Sequence, residues 1–180
     1  MYALIEDNAI TKTYNNPRGM TIGSVQYPQN IHSLWSESDL NAIGIYTVVY
    51  DNANKKDEEW YNNTNQTLAF AGGVVTASYG TATAKAIEGL KTVKKEIFDR
   101  QAAGLLAKYD WYIIRNTEAS TAIPSAITDY RTAVRTKCNS MQAQVDGAAN
   151  VDALAALFTY TTTDGVQSRP LGEFPTDPNE

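Results

Sequence analysis

Apolar and polar residues alternate in short runs over residues 1–80, then recur at spacings of three and four over residues 81–180. The first period belongs to strands that lay one face on a core, the second to helices that bury one stripe. Tyr2 to Glu6 and Ala9 to Tyr14 flank Asp7-Asn8, which tolerate the positive φ of a tight turn, so an opening hairpin is predicted. After a turn at Asn15 to Gly19, Met20 to Tyr27 predicts a further strand, stopped by Pro28. Ser36-Glu37-Ser38-Asp39 has capping-box spacing, with Trp35 and Leu40 placed as a hydrophobic staple; the short helix it starts ends at Gly44. Ile45 to Tyr50 has the β-branched and aromatic make-up of a strand. Asp51 to Asn65 is a polar excursion pinned by Trp60 and Tyr61. Gln66 to Phe70 and Val74 to Tyr79, joined by Ala71-Gly72-Gly73, close a small antiparallel sheet.

From Thr83 to Tyr109 the residues Ile87, Leu90, Val93, Ile97, Phe98, Leu105, Leu106 and Tyr109 outline a long amphipathic helix. Asp110 to Arg115 forms an apolar knot in which Trp111 and Tyr112 are expected to pack the closed end of a helical hairpin. Pro124 fits a helix start, and Ile127, Tyr130, Val134, Cys138, Met141 and Val145 trace one face up to Asp146-Gly147. Two such helices with a short connection should pack antiparallel, because neither can bury its stripe alone. Val151 to Leu157 supports a short third helix, and Phe158 to Thr163 with Val166 to Arg169 straddle Asp164-Gly165, a strong hairpin turn. The predicted class is α+β: residues 1–80 form a small antiparallel sheet with a short helix, and residues 81–180 a long helical hairpin, a C-terminal β-hairpin and an extended tail. In that tail Pro170, Pro175 and Pro178 oppose folding back, and Leu171 and Phe174 are spaced to anchor in the groove of a neighbour.

Composition sharpens this picture only where it excludes partners. A net charge of −5 gives no purchase on phosphate, so neither nucleic acid nor an anionic membrane is an expected partner. The basic cluster Lys91, Lys94, Lys95 and Arg100 is interleaved with Glu88, Glu96 and Asp99, as in a self-paired solvated helix face. The opening Met1 to Asp7 lacks the pattern of a secretory signal and no run is long enough to span a membrane. A single cysteine forbids an intrachain disulfide, consistent with a reducing compartment.

Catalysis needs a nucleophile with a base, a set of metal ligands or a phosphate cradle. The lone histidine, His32, has no acid or serine partner at catalytic spacing and reads as a loop or packing residue. One His and one Cys far apart do not make a zinc site, and Cys138 falls on the apolar helix stripe, where a thiol behaves as a small hydrophobe. Asp51 to Asn54 lacks the glycine and bidentate glutamate of a calcium loop, and Gly72-Gly73 lacks the lysine and helix of a phosphate loop. No enzyme class, cofactor or metal is therefore expected.

The segments Tyr2 to Thr11, Val25 to Pro28, Leu34 to Leu40 and Ile43 to Val48 resemble the N-terminal part of tail-associated proteins of marine and other tailed bacteriophages. Gln101 to Leu106, Asp110 to Arg115, Ile123-Pro124 and Tyr130-Arg131 are similar to the helical part of phage tail-fibre assembly proteins. The resemblance implies a virion or virion-assembly protein, made in the host cytoplasm, that contacts other phage structural proteins such as tail fibre or baseplate and forms a homo-oligomer. It implies no catalytic residues. The alternatives it leaves are a capsid or neck decoration protein and a tail-fibre assembly chaperone absent from the mature particle; a small-ligand binding module competes from outside the family. A sheet region longer than a minimal chaperone needs fits a permanent component of the particle.

Overall fold

The computed structural model describes residues 1–179 and divides into two compact units, Met1–Thr83 and Ala84–Glu180. The first is built on strands β1 (Tyr2–Glu6), β2 (Ala9–Tyr14), β5 (Ile45–Asp51), β7 (Gln66–Ala71) and β8 (Val74–Tyr79), in the order β2-β1-β5-β8-β7. Around them lie the hairpin β3 (Met20–Ile22) and β4 (Val25–Tyr27), the helices α1 (Ile31–Leu34) and α2 (Glu37–Ala42), and a short ladder of β6 (Tyr61–Asn62) with β9 (Thr83–Ala84).

The apolar run of β1 is that of a strand buried on both sides. Ala3 and Ile5 join Val48, Val75, Ala77, Leu68 and Phe70 on one face, while Tyr2 and Leu4 join Met20, Ile31, Leu40 and Ile45 on the other. The turn at Asp7 and Asn8 takes φ of 50° and 65°, as the opening hairpin requires. A bulge beyond Leu4 then sets Ile10 opposite Ile5, which keeps both on the inner cluster. The edge strands β2 and β7 approach each other, so the sheet coils around that cluster. The Ser36 hydroxyl accepts the Asp39 amide at 3.2 Å and the Asp39 carboxylate accepts the Ser36 amide at 3.2 Å, completing the capping box.

Two expectations for this unit are corrected. The sheet is mixed: Val48 to Asp51 of β5 run parallel to Val75 to Ser78 of β8. The polar excursion carries the chain past the neighbouring position before β7 forms, and the return hairpin slots β8 between β5 and β7. Trp60, 5% exposed, anchors that excursion. Met20 to Tyr27 is a hairpin with a turn at Gly23-Ser24, where Gly23 accepts a φ of 59°.

The second unit contains α3 (Ile87–Ala107), α4 (Asp110–Ala119), α5 (Ser125–Gly147), α6 (Val151–Phe158) and the strand pair β10 (Thr161–Thr163) with β11 (Val166–Ser168). Helices α3 and α5 are antiparallel: Lys95 pairs with Asp146 at 2.8 Å, Gln142 donates to Asp99 at 2.7 Å, and Arg131 donates to the Leu106 carbonyl at 2.7 Å. The stripe Ile127, Tyr130, Val134, Cys138, Met141 and Val145 is buried throughout. Asn150 caps α6 by accepting the Ala153 amide at 2.8 Å, and Phe158 stacks on Phe98 at 6.0 Å. The connection between the two long helices is not short, since the separate helix α4 occupies it. Burial pushes the Cys138 thiol up, aided by the neighbouring Asp99 carboxylate. A thiol reagent is expected to label Cys138 at the rate of global unfolding; labelling of native protein as fast as a free thiol would show that the stripe opens.

The tail folds back on its own unit, contrary to the expectation from its prolines. Leu171 is 0% exposed; its amide donates to the Leu157 carbonyl at 3.2 Å and its carbonyl accepts Lys137 Nζ at 2.7 Å. Burying one leucine is worth about 2 kcal/mol, more than the prolines cost in a segment they already hold extended. Phe174 is half-buried beside Gly104 and Leu105 of α3, and Glu180 lies outside the described residues.

Farther along, the buried Asp177 carboxylate accepts the Tyr109 hydroxyl, the Asn179 amide at 3.1 Å and Lys108 Nζ at 3.2 Å. The Tyr109 hydrogen bond, followed by the Asn179 amide, holds this carboxyl below its usual range. A depressed carboxyl stabilises the fold above its unfolded pKa of about 3.9 and stops doing so as pH falls through its folded value. Wild type should therefore exceed Asp177→Asn in denaturant midpoint at neutral pH, with the gap closing below about pH 4. A gap that does not change with pH would remove Asp177 from the clasp.

Candidate protein-contact surface

No group of three or more potential metal ligands occurs among the described residues, and no described helix is long and apolar enough to cross a membrane. The cleft holding His32, about 390 Å³, is lined by Pro17, Gln29, Asn30, His32 and Ser33. The imidazole leans on Tyr2 at 4.5 Å with both ring nitrogens buried and unpartnered, and the Ser33 hydroxyl donates to the Asn30 carbonyl at 3.0 Å. No nucleophile is aligned with a base there.

The arrangement with the most exposed chemistry is α4. Trp111, Tyr112, Ile113 and Ile114 follow one another on a helix, and successive side chains point about 100° apart, so one turn is apolar on every side. Whichever face such a turn lays on its own domain, others stay uncovered. Trp111 is 49% exposed, Ile113 40% and Ile114 56%, and α4 contains no buried residue. The expected packing of Trp111 in the closed end of the hairpin is therefore corrected: the knot faces solvent, and Tyr109, 6% exposed, together with Tyr130 fills the interior beneath it.

The surface is held in place. Asp110 pairs with the buried Arg131 at 2.8 Å, fixing the start of α4 to α5, and Tyr109 contacts Tyr112 at a ring separation of 6.2 Å. At the other end Ser120 takes a left-handed φ of 53° and the Asn116 amide donates to the Thr121 carbonyl at 2.9 Å, closing the helix. On this base the Trp111 and Tyr112 rings meet tilted by 32° with centres 3.8 Å apart, and the Arg115 guanidinium lies 4.7 and 5.0 Å from the two ring centres. Tryptophan, tyrosine and arginine are the side chains that dominate binding energy at protein interfaces, and a cluster whose side chains already brace one another loses little entropy on docking.

Of the two residues expected to bind a partner, Leu171 is enclosed by its own unit and Phe174 lines a groove with Arg100, Gln101, Gly104, Leu105, Lys108, Arg169 and Glu173; neither lies on α4. From sequence, this turn is expected inside the hairpin rather than on a surface. Its signal was nonetheless present, as four large apolar residues in a row exceed what one buried stripe can use. A smaller apolar group, Leu34 and Trp35 with Tyr27 against the Trp35 ring at 5.9 Å, is exposed on the first unit. Comparison with family models, with curated proteins and with solved structures found no significant match to this chain.

Proposed function

We propose that the protein is a non-enzymatic bacteriophage virion protein of the tail, tail-fibre or receptor-binding apparatus, acting through protein–protein contacts in assembly or host attachment. The observation that carries the contact role is the cluster of exposed Trp111, Ile113 and Ile114, with the Trp111 ring held against Tyr112 and Arg115. The phage assignment rests on the sequence resemblance. A net charge of −5 supports protein rather than nucleic-acid partners.

Because Trp111 is half-exposed, Trp111→Ala is expected to cost the fold less than about 1 kcal/mol. Loss of a central aromatic anchor costs binding about 2 kcal/mol or more, roughly thirtyfold. Gradient-purified particles from a phage carrying Trp111→Ala with Ile114→Asp should contain far less of this protein than wild type, while the isolated variant keeps its melting midpoint. Normal incorporation of the variant would remove α4 as the contact, and absence of the wild-type chain from both particles and assembly intermediates would remove the virion role.

A further inference from the structure

We infer that the β10–β11 hairpin is an arm that pairs edge to edge with the same hairpin of a second copy, with Thr162 at the two-fold centre. Every residue from Thr161 to Ser168 is exposed, Val166 by 66%, and no third strand pairs with either edge among the described residues. A two-stranded ribbon with no covered face is marginal in water by itself. Among the described residues this one is braced at its base, where the Tyr160 hydroxyl donates to Glu173 at 2.6 Å, Arg169 donates to Glu173 at 2.8 Å, and the Arg169 guanidinium lies 5.0 Å from the Tyr160 ring centre.

Proteins protect such edges with lysine, proline, inward charge or a bulge. Tyr160 to Thr163 carry none of these, and the register Thr161↔Ser168, Thr162↔Gln167, Thr163↔Val166 is regular. Asp164 and Gly165, at φ of 52° and 79°, form a two-residue turn, in which the flanking pair Thr163 and Val166 exchange their hydrogen bonds. The next pair must then point its backbone groups outward, so Thr162 presents a free amide and carbonyl on the β10 edge.

The second copy is favoured over an unrelated strand by self-complementarity. Antiparallel pairing about Thr162 lets the two Thr162 residues exchange both hydrogen bonds and sets Thr161 of each copy opposite Thr163 of the other, a favourable cross-strand pair. It also sets Asp164, the only charge at the tip, opposite Tyr160 of the second copy, the ring that Arg169 covers. The Glu173 carboxylate that accepts the Tyr160 hydroxyl is already paired with Arg169 at 2.8 Å, so the Asp164 of the second copy meets a neutralised pair and a guanidinium rather than an uncompensated negative charge.

Sedimentation of the full chain over a concentration series tests the arm. Wild type should self-associate reversibly. Thr162→Pro removes the outward amide without touching the bonds to β11, and Thr162→Lys sets like charges opposite each other; each should weaken association by about tenfold or more with an unchanged melting midpoint. Mixing Thr162→Lys with Thr162→Glu should restore it. A monomeric wild type, association indifferent to both variants, or association abolished only by Ile114→Asp would overturn the proposal.

Discussion

Replacing Leu171 with alanine is expected to destabilise the C-terminal unit by about 3 kcal/mol, because a fully enclosed leucine loses both its transfer energy and its packing. At 0% exposure Leu171 ranks with Val134, Val145 and Leu154 as one of the most enclosed side chains of that unit. For a unit of this size the thermal midpoint should fall by roughly 12 °C or more, read from helical circular dichroism, to which the unit contributes α3, α4, α5 and α6. Removing residues 169–180 should do at least as much, since it also discards Asp177 from the Tyr109 clasp. A loss under about 1 kcal/mol would mean that the tail is only loosely applied and that Leu171 is free to anchor elsewhere.

Gly44→Ala should cost the N-terminal unit about 3 kcal/mol by combining two penalties at one atom. Gly44 holds φ +83°, where a side chain is strained, and an added Cβ would stand 2.5 Å from the Ile5 carbonyl oxygen. The neighbour is backbone of the inner strand β1 and cannot move without disturbing the 2.8 Å hydrogen bond from the Ile5 amide to the Gly44 carbonyl. Gly73→Ala is the control, with φ +77° and nothing within 4 Å, so it bears only the conformational cost of about 1 kcal/mol. Equal losses in urea titrations of the two variants would show that the close approach to Ile5 has no energetic weight.

Several features were legible because their causes are local. The Asp7-Asn8 and Asp164-Gly165 turns follow from residues that tolerate positive φ, and the capping box at Ser36 from two side chains three residues apart. The α5 stripe follows from helical periodicity alone, and all of its positions are buried. The α3 stripe was legible only in part: Phe98 and Tyr109 are buried, while Val93 is 52% exposed, because the ridge that meets α5 runs through Phe98 and the small Ala102.

The sequence by itself determined most of the strands, turns and helices and that the protein mixes both classes, but not the turn at Gly23-Ser24 or the separate helices α1 and α4. The tertiary structure decided which apolar groups are covered. It placed β8 parallel to β5, enclosed Leu171 and left Trp111 on the surface. Burial depends on which other surface reaches a side chain first in three dimensions: Tyr109 and Tyr130 already fill the space beneath α4, whereas the end of α6 and Lys137 leave the return path of the tail a place for one leucine. Such competition between distant segments for the same volume is set by the close packing of the interior and has no counterpart in local propensity.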